Sequence, residues 1–453
     1  MTDISQTPGA APAVKPKGGS LFEKDARTKR RNAAESRFKM YGVAAIGIGL
    51  LMLVVLVTNI VTAGTGAFQQ TYLELNVELK ADKLDKKGNR NIEDIKKVST
   101  FGYAPLIASA LEAEVQELGI QTDLKPKAMG KILSKAAQAE LRNYVIANPD
   151  EIGKTVSFRF LTNSRVDGYL KGRVTRESIA NDKSITVEQL DFVDQLRDAG
   201  VLYKAFNPDF IFGSDASDQR PEAAGIGVSM LGSLFMMFVV LALALPIGVA
   251  ASIYLEEFAP QNRLTDIIEV NISNLAAVPS IVFGILGLAV FINYMHLPTS
   301  APLVGGLVLT LMTLPTIIIS TRASLKAVPP SIRDAALGVG ASKMQAVFHH
   351  VLPLAAPGIL TGTIIGLAQA LGETAPLLLI GMVGFIASNP PDGIVAGFLS
   401  PNSAMPAQIY EWSKRADPAF YERAWGGIII LLIFLVTMNT IAVLLRRRFE
   451  RRW

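Results

Sequence analysis

Six long apolar stretches divide the chain, and polar segments of very unequal length separate them. Crossing the hydrocarbon core of a bilayer takes about 20 apolar residues, and each stretch approaches that length. The pattern predicts membrane-spanning helices at Tyr41–Val61, Ile226–Ala251, Ile268–Ile292, Leu303–Ile319, Ile359–Ile386 and Gly427–Leu445. We therefore expect an all-α polytopic membrane protein of six transmembrane helices, with one large polar insertion after the first.

The first apolar stretch could instead be a secretory signal, because Thr65-Gly66-Ala67 resembles a cleavage site. Its apolar run is longer than the roughly 7–15 residues of a signal peptide, and a long charged segment precedes it. We expect an uncleaved anchor.

Composition supports the membrane assignment and excludes several kinds of chemistry. Half of the 453 residues are hydrophobic and only 18% are charged, whereas about a quarter of the residues of a soluble protein are charged. The chain has no cysteine and three histidines, so thiol catalysis and cysteine-based metal sites are excluded and a histidine-rich metal site is disfavoured. No G-x-x-x-x-G-K-[ST] motif occurs, so the chain is not its own ATPase by that route. We expect no catalytic residue, no bound metal and no nucleic-acid partner.

Basic residues cluster at both ends of the chain and predict its orientation, since Lys and Arg are enriched on the cytoplasmic side. The N-terminal cluster is Lys15, Lys17, Lys24, Arg27, Lys29, Arg30, Arg31, Arg37 and Lys39, and the C-terminal cluster is Arg446, Arg447, Arg448, Arg451 and Arg452. An even number of spans puts both termini on one side, and their basic residues indicate that this side is the cytoplasm. The basic loop Thr321–Leu354 falls on the same side, and Asn293–Ala301, without Lys or Arg, falls outside.

These assignments divide the chain into segments that we name by their expected place. The predicted segments are a basic, disordered cytoplasmic tail at 1–39, a first transmembrane helix at 40–63, a periplasmic domain at 64–224, a five-helix core at 225–446 with a cytoplasmic coupling loop at 322–355, and a basic tail at 447–453.

The segment Gly64–Ala224, called the inserted domain below, is rich in charges of both signs and long enough to bury its own core. Phe101–Leu118 and Lys131–Asn148 have helical periodicity, and Thr155–Leu161 alternates as a strand does. We expect a small α+β domain. It contains no phosphate loop, paired catalytic carboxylates or nucleophile elbow, which favours a role in contact or assembly, with ligand sensing as the alternative.

The loop after the fourth span is the most informative stretch, and it reads Val328-Pro329-Pro330-Ser331-Ile332-Arg333-Asp334-Ala335-Ala336-Leu337-Gly338-Val339-Gly340. The prolines stop the preceding helix, and Ser331 and Asp334 predict a capping box for a new one, which Gly340 ends. Ser342 is expected to cap a second helix through His350, which Pro353 terminates. A short rigid helix with a small-residue surface suits insertion into a partner's groove, although an ordinary interfacial helix has the same pattern.

This loop resembles the EAA signature of ABC importer permeases, in the residues Asp334, Ala335, Ala336, Gly340, Leu352 and Pro353. Asp334 stands where Glu is commoner, and His350 stands where an aliphatic residue is usual. The resemblance implies a type I importer permease fold whose loop transmits ATP-driven closure of an ATP-binding subunit dimer. No cofactor is then expected on this chain, since ATP is used by the partner.

Three further stretches are similar to phosphate permeases of the PstA type, and the resemblance covers about Gly225–Arg446. They are Tyr254-Leu255-Glu256-Glu257, Val278-Pro279-Ser280-Ile281-Val282-Phe283-Gly284 and Leu371-Gly372-Glu373-Thr374-Ala375-Pro376. The resemblance implies inorganic phosphate as cargo, a PstC-type second permease subunit and a periplasmic phosphate-binding protein. The inserted domain looks like the extension found on some longer members.

Glu373 is the principal candidate for the translocation pathway, because an ionisable group within a span is costly and usually faces a pathway or pairs across the bundle. Gly372 and Pro376 predict an irregular helix around it. A carboxylate repels phosphate, so we expect Glu373 to hold an arginine that binds it. The family often has that arginine four residues earlier, where this chain has Gln369, so the partner permease is expected to supply it.

The other polar residues near these stretches have two possible roles. Thr374, Asn274 and Ser280 could line the pathway, or they could be polar contacts between helices, and Glu373 itself could be an interhelical hydrogen-bond partner. Sulfate, molybdate or phosphonate are alternative cargoes. A membrane sensor would continue into a signalling domain, and a secondary transporter would show several intramembrane charges and internal symmetry; the chain shows neither pattern.

Overall fold

The computed structural model describes residues 26–85, 87–181, 184–382 and 393–449. Two compact units are present, Met1–Asn59 and Ile60–Trp453. The described part of the first unit belongs to helix α1, Ala26–Gly64, which contains the predicted first span. The helix begins well before that span and includes 26–39, which we had expected to be disordered. Strong helix formers and the Glu35–Lys39 ion pair one turn apart explain the extension.

The inserted domain contains a three-stranded antiparallel sheet in the order β2-β1-β3. Its strands are β1 at Gln69–Glu78, β2 at Thr155–Leu161 and β3 at Leu202–Phe206. Strand β2 has the bounds that its alternating pattern predicts, and it pairs Phe158 with Leu75. The α+β prediction for this domain is confirmed.

Short helices surround the sheet and enclose a core of their own, in which Leu73, Tyr103, Phe160 and Phe192 are fully buried. These helices are α2 Ala81–Leu84, α3 Ile92–Ile95, α4 Ala104–Glu117, α5 Pro126–Met129, α6 Ala137–Ala147, α7 Ser164–Leu170 and α8 Val187–Asp198. A further helix, α9 Pro208–Phe212, follows β3, and its Phe210 packs in the second core, with Trp412 and Phe420. Helix α6 begins six residues later than predicted, because Gly130–Ile132 forms a 3-10 turn and Leu133 is extended and bridges to Thr162.

The remaining helices form the membrane-spanning part, in which α1, α10, α13, α16 and α20 are long and apolar enough to cross a bilayer. They are α10 Gly227–Ile253, α11 Arg263–Ala276, α12 Ser280–Leu286, α13 Pro302–Lys326, α14 Pro330–Gly338, α15 Lys343–Ala346, α16 Leu352–Gly372, α17 Ala375–Leu379, α18 Ile394–Leu399, α19 Met405–Lys414 and α20 Pro418–Phe449. Mostly helical architecture with a small inserted sheet is the fold class that the sequence predicts.

The predicted third span is not one straight helix. Helices α11 and α12 meet at an angle of 104°, and α12 continues through a π-helical segment to Tyr294. The bend lies at Ala277–Pro279, where Pro279 removes a backbone donor and disfavours helical geometry at Val278. The residues at the bend itself, Leu275–Pro279, are apolar, which is why the pattern suggested a single helix.

The bent pair nevertheless carries the chain across the same thickness as its neighbours. Gly305 and Gly306 of α13 face Met236 and Val239 of α10, and further along Ile317 faces Gly248. Residue numbers rise together along both helices, so α10 and α13 run parallel. The segment between them must therefore return from one end of the bundle to the other, so the described residues hold up to six spans when the bent pair counts as one.

The fifth predicted span, Ile359–Ile386, is displaced relative to the observed helix. A continuous helical run starts at Lys343, passes through the π-helical turn Val347–Val351 and ends at Gly372. Pro353 therefore does not terminate a helix, because it lies in the first turn after the π-helical bonding pattern, where its missing N–H is tolerated. Residues 383–386 lie outside the described residues.

Contacts along α16 place Arg446, near the end of α20. Gly358 and Gly362 face Ser324 and Ser320 of α13, so α16 and α13 are antiparallel. Arg446 near the end of α20 donates to Thr361 Oγ1 at 3.0 Å, in the first half of α16. The end of α20 and the Thr321–Leu354 loop thus lie at the same end of the bundle.

Candidate coupling loop and translocation site

Helix α14 is capped differently from the sequence prediction. Its N-cap is Pro329, which makes no side-chain capping bond, and Ser331 lies exposed in the first turn. The predicted box of Ser331 and Asp334 is therefore wrong, because the Pro329-Pro330 pair starts the helix two residues earlier than we expected. A capping box is present one helix later, where Ser342 Oγ accepts from the Gln345 N–H at 3.2 Å and Gln345 Oε1 accepts from the Ser342 N–H at 2.9 Å.

Gly340 ends the α14 turn as its position predicts. Its φ of +87° is a conformation that favours glycine. The Gly340 N–H donates to Leu337 O at 2.9 Å and the Ala341 N–H to Ala336 O at 3.0 Å, the paired bonds of a Schellman motif. These backbone hydrogen bonds within the chain fix the turn between α14 and α15, and they need no contact with another subunit.

The outer face of this loop is apolar and uncovered. Ala335 and Asp334 are exposed, whereas Ala336 is buried against the bundle. Leu337 is 48% exposed and Val339 is 86% exposed. Sequence reasoning selected the alanines and missed these two larger residues, although they lie within the same stretch. Exposed apolar side chains on a rigid turn are typical of a protein contact.

Leu352 and Pro353, the remaining signature residues, lie apart from that turn in the first turn of α16. Leu352 is partly buried and packs in the cluster that contains Leu325, Val328 and Val351, while Pro353 is exposed. The signature therefore comprises the exposed turn and the start of the helix to which it is joined.

A buried ion pair holds α14 to the bundle. Arg333 Nη2 lies 2.6 Å from Glu257 Oε1, and Glu257 is 8% exposed. The same guanidinium donates to the carbonyl oxygens of Leu325 at 2.9 Å and Val328 at 2.8 Å, at the end of α13. The sequence analysis used Glu257 only as part of a resemblance. It overlooked that two consecutive acidic residues, Glu256 and Glu257, follow the second span and that the Thr321–Leu354 loop contains arginines that could pair with them.

Neighbouring Glu256 extends this network. Arg322 of α13 lies 3.3 Å from Glu256 and 2.6 Å from Glu269 of α11, and Lys326 lies 3.6 Å from Glu256. Ion pairs therefore connect the ends of α10 and α13 to the middle of α11, in addition to the pair that holds α14.

Glu373 lies at a break between two helices. Helix α16 ends at Gly372, Glu373 is extended with φ −76° and ψ 132°, and Thr374 precedes α17. The irregularity predicted from Gly372 and Pro376 is present. Glu373 is partly exposed, and in the described ranges its carboxylate makes neither a hydrogen bond nor an ion pair. Gln369, one turn earlier, is exposed on the same helix.

The structure brings two of the resembled stretches together. A Cβ added at Gly284 of α12 would lie 2.7 Å from Pro376 Cα, so the two backbones are in direct contact. Ser280 begins α12, one turn before this contact, and is partly buried. Asn274 lies exposed on α11, on the other side of the bend. The Gly284–Pro376 contact thus places α12 against α17, the helix that follows Glu373 and Thr374, whereas Asn274 lies on α11, beyond the bend.

The coupling loop and this junction lie at opposite ends of one helix. From Leu352 to Gly372 α16 extends about 30 Å, at about 1.5 Å per residue. The arrangement can carry a rigid displacement of the loop to the Glu373 junction. Among the described residues, no group of three or more histidine, aspartate or glutamate side chains is placed to hold a metal ion.

Comparison with known families agrees with this geometry. A family model described as "Binding-protein-dependent transport system inner membrane component" matches residues 244–453, which include α14, α16 and the Glu373 junction. The protein named "Phosphate transport system permease protein PstA 1" of Mycobacterium tuberculosis (strain CDC 1551 / Oshkosh) is 30% identical over 230 residues, which cover 51% of this chain and 73% of that protein. The chain belongs to the PstA-type family of binding-protein-dependent ABC permeases.

Other comparisons cover different parts of this permease. The "Probable ABC transporter permease protein YqgI" of Bacillus subtilis (strain 168) is 32% identical over 241 residues, 51% of this chain and 81% of that protein. A solved inward-facing structure of the MetNI methionine ABC transporter has a TM-score of 0.39 at 17% identity, covering 50% of this chain and 95% of that one. Residues 25–180 match a family model described as "Domain of unknown function (DUF3333)". The match to the permease family and to relatives at about 30% identity, together with the long apolar helices, shows that this chain is a multi-pass membrane protein and the transmembrane subunit of an ABC importer.

The permease holds its inserted domain through a buried arginine. Arg423 of α20 is 2% exposed and donates to Ala67 O at 2.8 Å, to Gln70 Oε1 at 2.6 Å and to Glu222 O at 2.8 Å. Its guanidinium also lies over the Phe210 ring at 5.1 Å. Nothing in the local sequence around Arg423 indicates these partners, which are 200 or more residues away.

A second set of charges lies beside it. Glu422 of α20 pairs with Lys171 at 2.8 Å and with Arg173, and Lys171 also lies 2.7 Å from Asp167. Asp167 accepts from the Thr71 N–H at 3.1 Å. Because these charges are buried and mutually paired, separating the inserted domain from α20 would leave several of them without a partner.

Proposed function

We propose that the chain is the permease subunit of an ATP-driven importer of inorganic phosphate. The observation that carries the proposal is the Glu373 junction, where an intramembrane carboxylate lies at a helix break without a cationic partner in the described chain. Relatives at about 30% identity are named as phosphate transport permeases, which favours phosphate over sulfate, molybdate or phosphonate.

In this proposal Glu373 does not touch phosphate directly, because two negative groups repel. It orients an arginine from a second permease subunit of the PstC type, and that guanidinium binds phosphate with two parallel hydrogen bonds. The partly exposed carboxylate, the exposed Gln369 and the exposed Gly372 leave room for such a side chain. Thr374 and Ser280 would contribute hydroxyls at the same junction.

The other partners follow from the two ends of α16. An ATP-binding subunit dimer would dock on the exposed turn formed by Ala335, Leu337 and Val339, and it would be the only subunit that uses ATP. The Lys- and Arg-rich ends of the chain indicate that this turn and both termini lie in the cytoplasm of a bacterial inner membrane. A periplasmic phosphate-binding protein would deliver cargo at the opposite end.

Transport would then proceed by alternating access. Closure of the ATP-binding dimer moves α14, and the Arg333–Glu257 pair carries that movement to the ends of α10 and α13. Helix α16 links the same turn to the Glu373 junction. The cavity opens outward while ATP is bound, receives phosphate, and opens inward after hydrolysis.

The decisive experiment measures uptake of labelled phosphate, sulfate, molybdate and a phosphonate by proteoliposomes that contain the complete assembly. We expect ATP-dependent uptake of phosphate and at least a hundredfold slower uptake of the other anions. The control is a set of vesicles that contain the same assembly but no ATP on the side that the ATPase faces. Faster uptake of another oxyanion would overturn the cargo, and no ATP-dependent uptake of any of the four anions would overturn the function.

A further inference from the structure

A cleft of about 540 Å³ opens on the inserted domain between α4, α5 and the start of α6. Its floor is apolar and is made of the buried residues Ile107, Leu111, Leu133 and Ala137. Clefts of this size hold small organic molecules, with apolar walls for the body of the ligand and a few polar groups that orient it.

Three lysines line the rim of this cleft, and no carboxylate lines it. Lys127, Lys131 and Lys135 are all exposed. Lys127 and Lys131 form no ion pair in the described parts of the chain, and Lys135 reaches only the neutral Gln219 Oε1 at 3.3 Å. Uncompensated like charges repel one another, and beside a low-dielectric floor they attract a ligand of opposite sign.

One wall of the cleft leads directly to the buried contacts with α20. Ser134 lines the cleft and donates its hydroxyl to the Glu222 carboxylate, while the Glu222 carbonyl accepts from Arg423 at 2.8 Å. Lys135 contacts Gln219, in the segment that enters α10 a few residues later. A ligand that displaced Ser134 or Lys135 would therefore act on the residues that join the domain to two spans.

We propose that this cleft is a second anion site, which takes a phosphate monoester with a small apolar group and modulates transport through Glu222 and Arg423. A phosphate monoester carries nearly two negative charges at neutral pH and offers three acceptor oxygens, which matches a rim of three lysines. The apolar group of the ligand would pack on the apolar floor of the cleft, which inorganic phosphate alone would leave exposed to water. The site is separate from the translocation pathway, so the inference goes beyond the transport of phosphate.

The test uses the purified permease–ATPase assembly without its binding protein and phenyl phosphate as the probe, with binding followed by calorimetry. Lys127→Gln/Lys131→Gln removes two rim charges, and Lys154→Gln removes an exposed lysine elsewhere on the inserted domain as the matched control. We expect one phenyl phosphate per permease, at least tenfold weaker binding to the double variant and unchanged binding to Lys154→Gln. Equal binding to both variants, or no binding to the wild type, overturns the proposal.

Two further arms separate the contributions of the ligand. Phenol and inorganic phosphate should each bind the cleft at least tenfold more weakly than phenyl phosphate; equal, lysine-dependent binding of inorganic phosphate would overturn the role of the apolar floor. External phenyl phosphate should change the rate of phosphate uptake in wild-type proteoliposomes but not in the double variant. If phenyl phosphate leaves the wild-type uptake rate unchanged, the proposed modulation of transport is overturned. Phosphate uptake measured without phenyl phosphate tests independently whether phosphate is the transported anion.

Discussion

Arg333 of the coupling helix and Glu257 at the end of α10 form a buried ion pair, with Nη2 and Oε1 separated by 2.6 Å. The same guanidinium satisfies two carbonyls at the end of α13. One side chain therefore links three helices: the one that a partner would contact and two that cross the membrane.

Glu257→Gln should uncouple the transporter. The substitution leaves Arg333 without a counter-charge in a mostly buried site, which costs on the order of 3 kcal/mol. We expect uptake to fall at least tenfold while the assembled ATPase still hydrolyses ATP, as measured in parallel on the same proteoliposomes. Glu257→Gln/Arg333→Gln removes both charges and should recover part of the lost thermal stability; wild-type uptake by Glu257→Gln alone would contradict the proposed linkage.

Ala335→Arg should abolish docking of the ATP-binding subunit. A long charged side chain on the exposed face of α14 cannot enter a groove shaped for a methyl group. Uptake is expected to drop to background, and the ATPase should no longer co-purify, although the permease still inserts in the membrane. Gln261→Arg adds the same charge on an exposed loop at the same end of the bundle and should leave both measurements unchanged. Retained uptake by Ala335→Arg would remove the docking assignment.

Glu373→Gln should lower phosphate uptake at least tenfold, because a neutral amide no longer fixes the arginine that we assign to the second permease subunit. Glu373→Asp keeps the charge and should retain a measurable part of the rate. Initial rates at several phosphate concentrations distinguish two effects. Weaker binding of phosphate raises the concentration needed for half-maximal uptake, whereas a slower transport cycle lowers the maximal rate. Equal rates for wild type and Glu373→Gln would show that the carboxylate is only a structural contact.

The absence of cysteine makes the orientation directly testable with single cysteines. Lys154→Cys places a thiol on the inserted domain, and Gln261→Cys places one on the loop before α11. An impermeant maleimide should label Lys154→Cys in right-side-out vesicles and Gln261→Cys only in inverted ones. The reverse labelling pattern would invert the proposed topology.

Glu140 should make the stability of the inserted domain depend on pH. Burial raises the pKa of this carboxyl to about 7, and the negative charges of Asp209 and Glu222 add to the effect, while Arg220 opposes it. The folded state therefore binds the proton more tightly than the unfolded chain does. The contribution of Glu140 to stability should be fully present below about pH 4.5 and should fall by roughly 3 kcal/mol as the pH rises to about 7.

Glu140→Gln tests this dependence by thermal unfolding of the nanodisc-embedded protein between pH 5 and pH 8. The variant should be more stable than the wild type at pH 8 and should lose most of the slope. Burial also raises the pKa of Glu222, so a smaller slope should remain. Glu117→Gln, which alters an exposed carboxylate of the same domain, is the control, and an identical slope in wild type and Glu140→Gln would refute the assignment.

Much of the architecture could be predicted because its causes are local. The alternation in Thr155–Leu161 fixes a half-buried strand, and long apolar runs fix the spans. Two predictions failed where proline chemistry depends on its surroundings. Pro279 bends the third span, whereas Pro353 follows a π-helical turn and leaves the helical run unbroken.

Side-chain partners were harder to predict than helices. Glu257 and Arg333 are 76 residues apart, and Arg423 contacts Gln70 across 353 residues. Such pairs depend on how the helices assemble, which one chain's hydrophobic pattern does not specify. The Glu373 break was predictable, since Gly372 and Pro376 lie beside it, but the exposure of its carboxylate was not.

The buried position of Arg423 also limits which segments of this protein can be deleted. An engineer who joined α1 directly to α10 by deleting the inserted domain would remove the acceptors on Ala67, Gln70 and Glu222 and leave the guanidinium without these partners. A shortened transporter would therefore need a neutral residue at that position, and Arg423→Leu in the truncated chain is the natural starting design.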